Sequence, residues 1–320
     1  MRPAEIELRR ELLPLEQEGL LELLPHEGWL TTPEQFEASQ GGDPPWRMDA
    51  FYRLVRRQSG LLMDADGKPL GGKFSFDAQN RERWSGDPPA ASPPEFSADE
   101  VTEEVAQLVS ERFAQHPGEI QLASLPASRR QASALWSWAK RACLPSFGPY
   151  EDAMSTRSRT LFHSRVSALV HLQRLLPRTL VDDVCGLDVE LRCKEGFVRQ
   201  VLGWREFMRH VHEQTHGFRR MPDGFEGSSG ESGTDDEAGA APSHLGAREP
   251  LPPAYWGEPS GMACLDEVVR SVWEEAYSHH ITRLMILANI ATLLDVSPRE
   301  LTDWFWASYV DAYDWVVEPN

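Results

Sequence analysis

The stretch Tyr277-Ser278-His279-His280-Ile281-Thr282-Arg283-Leu284-Met285 decides how this chain is read. Around it Val268, Val269, Val272, Trp273, Ala276, Leu284, Leu287, Ala288 and Ala291 recur at helical spacing, which predicts one long core helix over 267–294. Two histidines and an arginine inside such a helix need polar partners, because an unpaired buried charge is costly. The tail that follows, Asp303-Trp304-Phe305-Trp306 and then Tyr309-Val310-Asp311-Ala312-Tyr313-Asp314-Trp315, supplies Asp311 and Asp314 as candidate counter-charges. On spacing alone its aromatic density reads as ordinary core or as oxidisable rings around a cofactor.

Working outward, the same periodicity predicts helices over 6–13, 48–62, 101–113, 128–142, 160–176, 196–212 and 298–310. Ser97-Ala98-Asp99-Glu100 offers a capped start to the third of these, and Ser297-Pro298 places a proline at the first position of the last. Residues 20–24 form a short apolar run, 31–36 read as a turn, and 41–45 are a Gly/Asp/Pro breaker cluster. Residues 85–97, rich in Pro, Ser and Ala, read as an extended linker. Residues 223–247 have almost no apolar content and a run of acids, so they read as a disordered insert that cannot offset its ordering entropy. Strand patterns are scarce after residue 40, and the fold class is mainly α.

The 320 residues can bury a large core in one large or two modest domains. No apolar run reaches a membrane span and the start lacks a signal-peptide pattern, so the expectation is a cytoplasmic protein with no membrane partner. Cys143, Cys185, Cys193 and Cys264 show no CxxC spacing, which excludes a legible zinc site or disulfide framework. The net charge of −18 argues against nucleic acid, yet the charge is unevenly spread. Residues 47–84 hold eight Lys/Arg against five Asp/Glu, and residues 129–220 hold sixteen against nine. A basic face suited to phosphates is therefore available, although scattered solvated arginines would give the same count.

Further motifs flank the opening stretch in a definite order. They are Gly71-Gly72-Lys73-Phe74-Ser75-Phe76-Asp77-Ala78-Gln79-Asn80-Arg81, Phe147-Gly148-Pro149-Tyr150-Glu151-Asp152-Ala153-Met154, and Gln200-Val201-Leu202-Gly203-Trp204-Arg205-Glu206-Phe207. Then come Ala254-Tyr255-Trp256-Gly257 and Gly261-Met262-Ala263-Cys264-Leu265. Over about residues 46–320 this series resembles the bacterial iron–sulfur cryptochrome and photolyase family, which includes the prokaryotic (6-4) photolyases. The resemblance implies an N-terminal α/β antenna domain, a linker, and a helical domain enclosing FAD. Here 1–45 would be a remnant of the antenna domain, its final helix and strand. Residues 46–125 would be a linker with helices, and 126–320 the flavin-binding catalytic domain, with the chain truncated at both ends relative to the family.

The resemblance also implies roles. Tyr150, Ser164 and Ser167 match the phosphate-binding segment, where hydroxyls and a helix N-terminus receive an anion; read alone, the serines are surface residues of an amphipathic helix. Gln200, Trp204 and Glu206 match the wall that contacts flavin and lesion, and alone would be a polar face beside a buried tryptophan. Arg283 and Asp311 match a pair beside the flavin ring; a buried arginine is tolerable only when such a carboxylate meets it. His280, with His279 behind it, falls on the substrate side as a proton-transfer catalyst. Trp256, Trp304 and Tyr313 match or extend the electron-transfer route, while Phe305 stands where relatives often carry an oxidisable tyrosine. Cys264 matches the first thiolate of a [4Fe–4S] cluster that needs four, so no cluster is expected in this chain. Full-length relatives carry that cluster and a lumazine antenna.

The leading expectation is thus a light-dependent DNA repair flavoprotein, a lyase acting as a monomer on UV-damaged DNA. The alternatives are a cryptochrome-like blue-light photoreceptor and an inactive fragment of either.

Overall fold

The computed structural model describes residues 3–22, 24, 26–42, 44–215, 217–218 and 245–319, so the expected acidic insert lies almost wholly outside the described residues. Among the described residues every regular element is helical, and the only strand-like pairings are the isolated bridges Met63–Pro69 and Glu249–Val296.

The N-terminal segment departs from expectation. Helix α1 spans Pro3–Gln17 and α2 spans Pro33–Gln40, but the described residues of the run at 20–24 form no strand. Leu20 and Leu24 are exposed, and a lone extended segment without a neighbouring ladder does not hold as a strand. The expected turn at 31–36 instead starts α2. Thr32 and Gln35 make a reciprocal capping box and Pro33 sits in the first turn, which satisfies donors that a helix start leaves orphaned.

Helix α3 (Met48–Ser59) matches its pattern closely, and α4 (Glu100–Arg112) starts on an Asp99 cap but buries no residue. The helices α5 (Arg129–Trp138), α6 (Leu144–Phe147), α7 (Ser167–His171), α8 (Pro177–Gly186), α9 (Leu191–Val198) and α10 (Glu206–Thr215) follow. With α2 and α3 most of them enclose one core, built on Phe36, Phe51, Tyr52, Leu144, Leu180 and Phe197. Each such side chain contributes about 1.5–3 kcal/mol by leaving water. Gly196 is required where α9 meets this core, since a Cβ there would stand 2.9 Å from a Glu151 carboxylate oxygen.

A second core, built on Tyr255, Leu265, Val272, Leu287, Trp304 and Tyr309, is enclosed by α11 (Ala263–Glu275), α12 (His280–Thr282), α13 (Asn289–Leu293), α14 (Pro298–Ser308) and α15 (Asp314–Val317). The single helix expected over 267–294 is broken here. Ala276 adopts a left-handed conformation (φ 48°) and the helix resumes only at His280. The break holds because Val310 donates its N–H to the Ala276 carbonyl. Apolar spacing continues across it, which is why periodicity missed it. The helix expected over 160–176 shrinks to the five residues of α7, with Leu161, Arg165 and Gln173 at positive φ.

These two breaks face each other. α11 ends in Glu274-Glu275, the unfavourable sign for a helix C-terminus. Arg159 reaches Glu267, Glu274 and Glu275, and Arg165 reaches Glu275 at 2.8 Å. The loop before α7 is thereby tied to the end of α11.

Candidate functional site

That tie brings the 160–171 segment against the segment after α11. Ser167, the first residue of α7, donates its hydroxyl to Asp311 at 2.5 Å. Asp311 is buried and receives both approaches of the Arg283 Nη2, at 2.9 and 3.0 Å. Arg283 also donates from Nε to the Ser278 carbonyl at 2.8 Å and lies 4.2 Å over the Tyr309 ring. Burial works against the arginine's charge, yet Asp311, with Tyr309 and Tyr277, holds its pKa above the ordinary value. Burial pushes both phenols up to about 12, so they stay neutral.

Beside this pair the two histidines divide. His279 precedes α12 in extended backbone and is buried, its ring stacked on His163 at 4.3 Å and 6°. Burial lowers His279 to about 3, reinforced by His280 and Arg283, and burial together with the neighbouring histidines holds His163 well below its ordinary value. Two stacked imidazoles this close cannot both be protonated. His163 Nε2 and His279 Nδ1 have no hydrogen-bond partner among the described residues. His280 is only half-buried, 5.3 Å from His163 in an edge-on contact and with Nε2 3.7 Å from Asp152.

Asp152 leads to a buried polar cluster. Its neighbour Glu151 accepts from Asn80, Arg199 and Gln200, the last at 2.5 Å. Gln200 and Trp204 lie on a π-helical stretch, Arg199–Arg205, and Arg283 opens another, Arg283–Ala288. Such wide turns shift side chains off the regular helical register and are frequent at functional sites.

Other expected residues fall elsewhere. Glu206 is wholly buried and serves the N-terminal segment, accepting from the Leu30 and Thr31 amides and the Thr31 hydroxyl, so it is no wall residue. Trp204 is an exposed ring touching Phe207. Tyr150 donates to the Asp87 carbonyl and stacks on Phe162, while Ser164 sits in the loop between His163 and α7. The basic face is smaller than the counts suggest. Arg56, Arg199 and Arg209 are buried, Arg205 is nearly so, and all four are committed to internal carbonyls and carboxylates.

Trp304 is 1 % exposed and Trp256 is 53 % exposed. Trp273, not singled out for any role in the sequence, stands against both, 5.8 Å from Trp256 and 6.2 Å from Trp304. Trp304 also lies 6.0 Å from Tyr309, the ring under Arg283. Tyr313 belongs to a separate aromatic group with His171, Trp315 and Trp29.

The residues fit a flavin, because a largely buried cation–carboxylate pair lies near two imidazole nitrogens that lack a hydrogen-bond partner among the described residues. They do not fit an iron–sulfur cluster. Cys264 is exposed, Cys143 and Cys193 are buried, and among the described residues no three ligating side chains converge.

Comparison with known proteins gives the following likenesses. Residues 1–124 match the model of the deoxyribodipyrimidine photo-lyase-related protein family. The (6-4) photolyase of Agrobacterium fabrum is 31% identical over 302 residues, covering 91% of this chain and 54% of that protein. The chain therefore spans about half the length of the curated relative it matches. A bacterial class III photolyase from Agrobacterium tumefaciens superposes with a TM-score of 0.45 at 16% identity, over 65% of this chain and 38% of that one. By sequence, the chain is similar to the deoxyribodipyrimidine photo-lyase-related family over residues 1–124 and to a (6-4) photolyase over most of its own length.

Proposed function

We propose that this chain holds FAD and works in light-driven repair of a (6-4) pyrimidine photoproduct in DNA. The observation that carries the reading is the Arg283–Asp311–Ser167 group, with Asp311 buried and its two partners partly so, beside the stacked rings of His163 and His279. In this reading residues 126–320 form the flavin-binding unit and 46–125 the linker. Tyr150, Ser164, Ser167, Gln200, Trp204, Arg283 and Asp311 would hold the cofactor, which would supply one electron to the lesion on excitation.

The chain's own residues do the rest. Arg283 and Asp311 fix a charge pair in a site of low dielectric, where its field is strong. His279, its pKa lowered by burial and by His280 and Arg283, offers an uncharged nitrogen. His280, half-exposed beside Asp152, holds the proton delivered at the lesion, and Asp152 supplies the counter-charge for the imidazolium. Trp256 and Trp304 serve electron delivery. A DNA substrate places this work in the cytoplasm, and no helix among the described residues is long and apolar enough to cross a membrane.

The test is direct. Purified protein should carry a yellow flavin released on heating, and under blue light it should repair a (6-4) photoproduct in an oligonucleotide. Folded protein without affinity for added FAD refutes the reading; flavin binding without repair points to photoreception.

A further inference from the structure

We infer that Trp273 is the relay that passes electrons from the surface at Trp256 to the buried Trp304. The inference rests on the flavin reading above and names a route that Phe305 leaves open. Phe305 touches both Trp304 and Tyr309 at 5.3 Å, but a phenyl ring has no accessible oxidised state for hopping. Trp273 comes from α11 and completes an unbroken indole series. It lies nearly parallel to Trp256 (26°) at 5.8 Å and edge-on to Trp304 at 6.2 Å.

The three indoles are pinned around one peptide. Trp273 and Trp304 both donate their Nε1–H to the carbonyl oxygen of Tyr255, at 3.2 and 3.0 Å, and Trp256 is the next residue in the chain. A carbonyl dipole aimed at both N–H groups stabilises positive charge on either ring. It therefore eases oxidation of both and keeps the two close in potential. Tyr309, the other ring beside Trp304, is a poorer hop. Its oxidation requires loss of the phenolic proton, burial raises that phenol to about 12, and its neighbour at 2.8 Å is the Ser278 hydroxyl rather than a base.

The electrons balance as follows. Trp304 would give one electron to a bound flavin on excitation and become a radical cation. Trp273 refills Trp304, and Trp256 refills Trp273. The exposed Trp256 radical cation releases its indole proton to water. An external thiol then returns one electron and one proton, and two thiyl radicals couple to a disulfide.

FAD-loaded protein is illuminated with a thiol present, and flavin reduction and the tryptophanyl radical are followed by time-resolved absorption. Trp273→Phe is expected to keep its flavin but lose net photoreduction, because the hole stays on Trp304 and recombines. Trp273→Tyr, whose ring can be oxidised, is expected to recover it. In the unloaded chain, the Trp256–Trp273 pair should give an exciton couplet in circular dichroism that Trp256→Phe and Trp273→Phe abolish alike. A Trp273→Phe protein that photoreduces like the parent, while Trp304→Phe does not, overturns the relay alone. A couplet that survives Trp273→Phe overturns the pairing on which it stands. A chain that binds no flavin, or photoreduces normally without Trp304, overturns the relay together with the reading beneath it.

Discussion

Replacing Asp311 with alanine tests the centre of the proposed site without requiring any cofactor. The carboxylate is 5% exposed and accepts Arg283 at 2.9 and 3.0 Å and Ser167 at 2.5 Å. Its loss leaves Arg283 with the Ser278 carbonyl and the faces of Tyr309 and Tyr277. Removing one partner of a buried pair costs about 3–5 kcal/mol. The cation–π contacts are present before and after the substitution and cancel, and because Arg283 is only partly buried the expected destabilisation lies at the low end, about 3 kcal/mol. That is a large share of the ~5–15 kcal/mol that holds a typical domain. Urea unfolding of the flavin-free protein measures it, and flavin retention on a desalting column reads the consequence for binding. Arg283→Met combined with Asp311→Ala should recover part of the loss, because no unpaired charge then remains. A loss below ~1 kcal/mol, or strict additivity in the double variant, would refute the buried-pair argument.

Stability should fall on acidification. His171 is lowered to about 4, and His210 and His279 to about 3, all chiefly by burial, from an ordinary 6.5. The unfolded chain then binds more protons than the folded one below pH 6.5, so stability is full above that pH and declines toward pH 4, each histidine adding up to about 1.4 kcal/mol per pH unit. Urea midpoints that stay level between pH 7 and 5 would contradict this. Glu206→Gln should cost roughly 3 kcal/mol in the same assay, since burial already lowers its partner Arg205 to about 10 and two amides of the N-terminal segment depend on the carboxylate; a change under ~1 kcal/mol would dissociate that segment from the core's stability. His280→Ala should keep bound flavin yet abolish light-driven repair, and undiminished repair would move proton transfer elsewhere.

Periodicity, capping chemistry and motif order carried much of this molecule. The capping box Ser128–Gln131 and the Asp99 cap mark their helices in the primary sequence, because these are contacts between residues three apart. The need of Arg283 for a counter-charge was also legible from the apolar pattern around it, which offered Asp311 and Asp314, and the family resemblance singled out Asp311. What the sequence could not reveal are features made by contacts between distant segments. The chain breaks at Ala276 because Val310 caps it from 34 residues away, and no local propensity records that bond. His163 carries no periodic signal and becomes part of the site only when Arg159 and Arg165 tie its loop to α11. Trp273 reads as core by its spacing, and only packing against Trp256 and Trp304 distinguishes it. Local patterns fix which residues are helical and which must be paired. Which ring meets which ring depends on where tertiary contacts interrupt the helices.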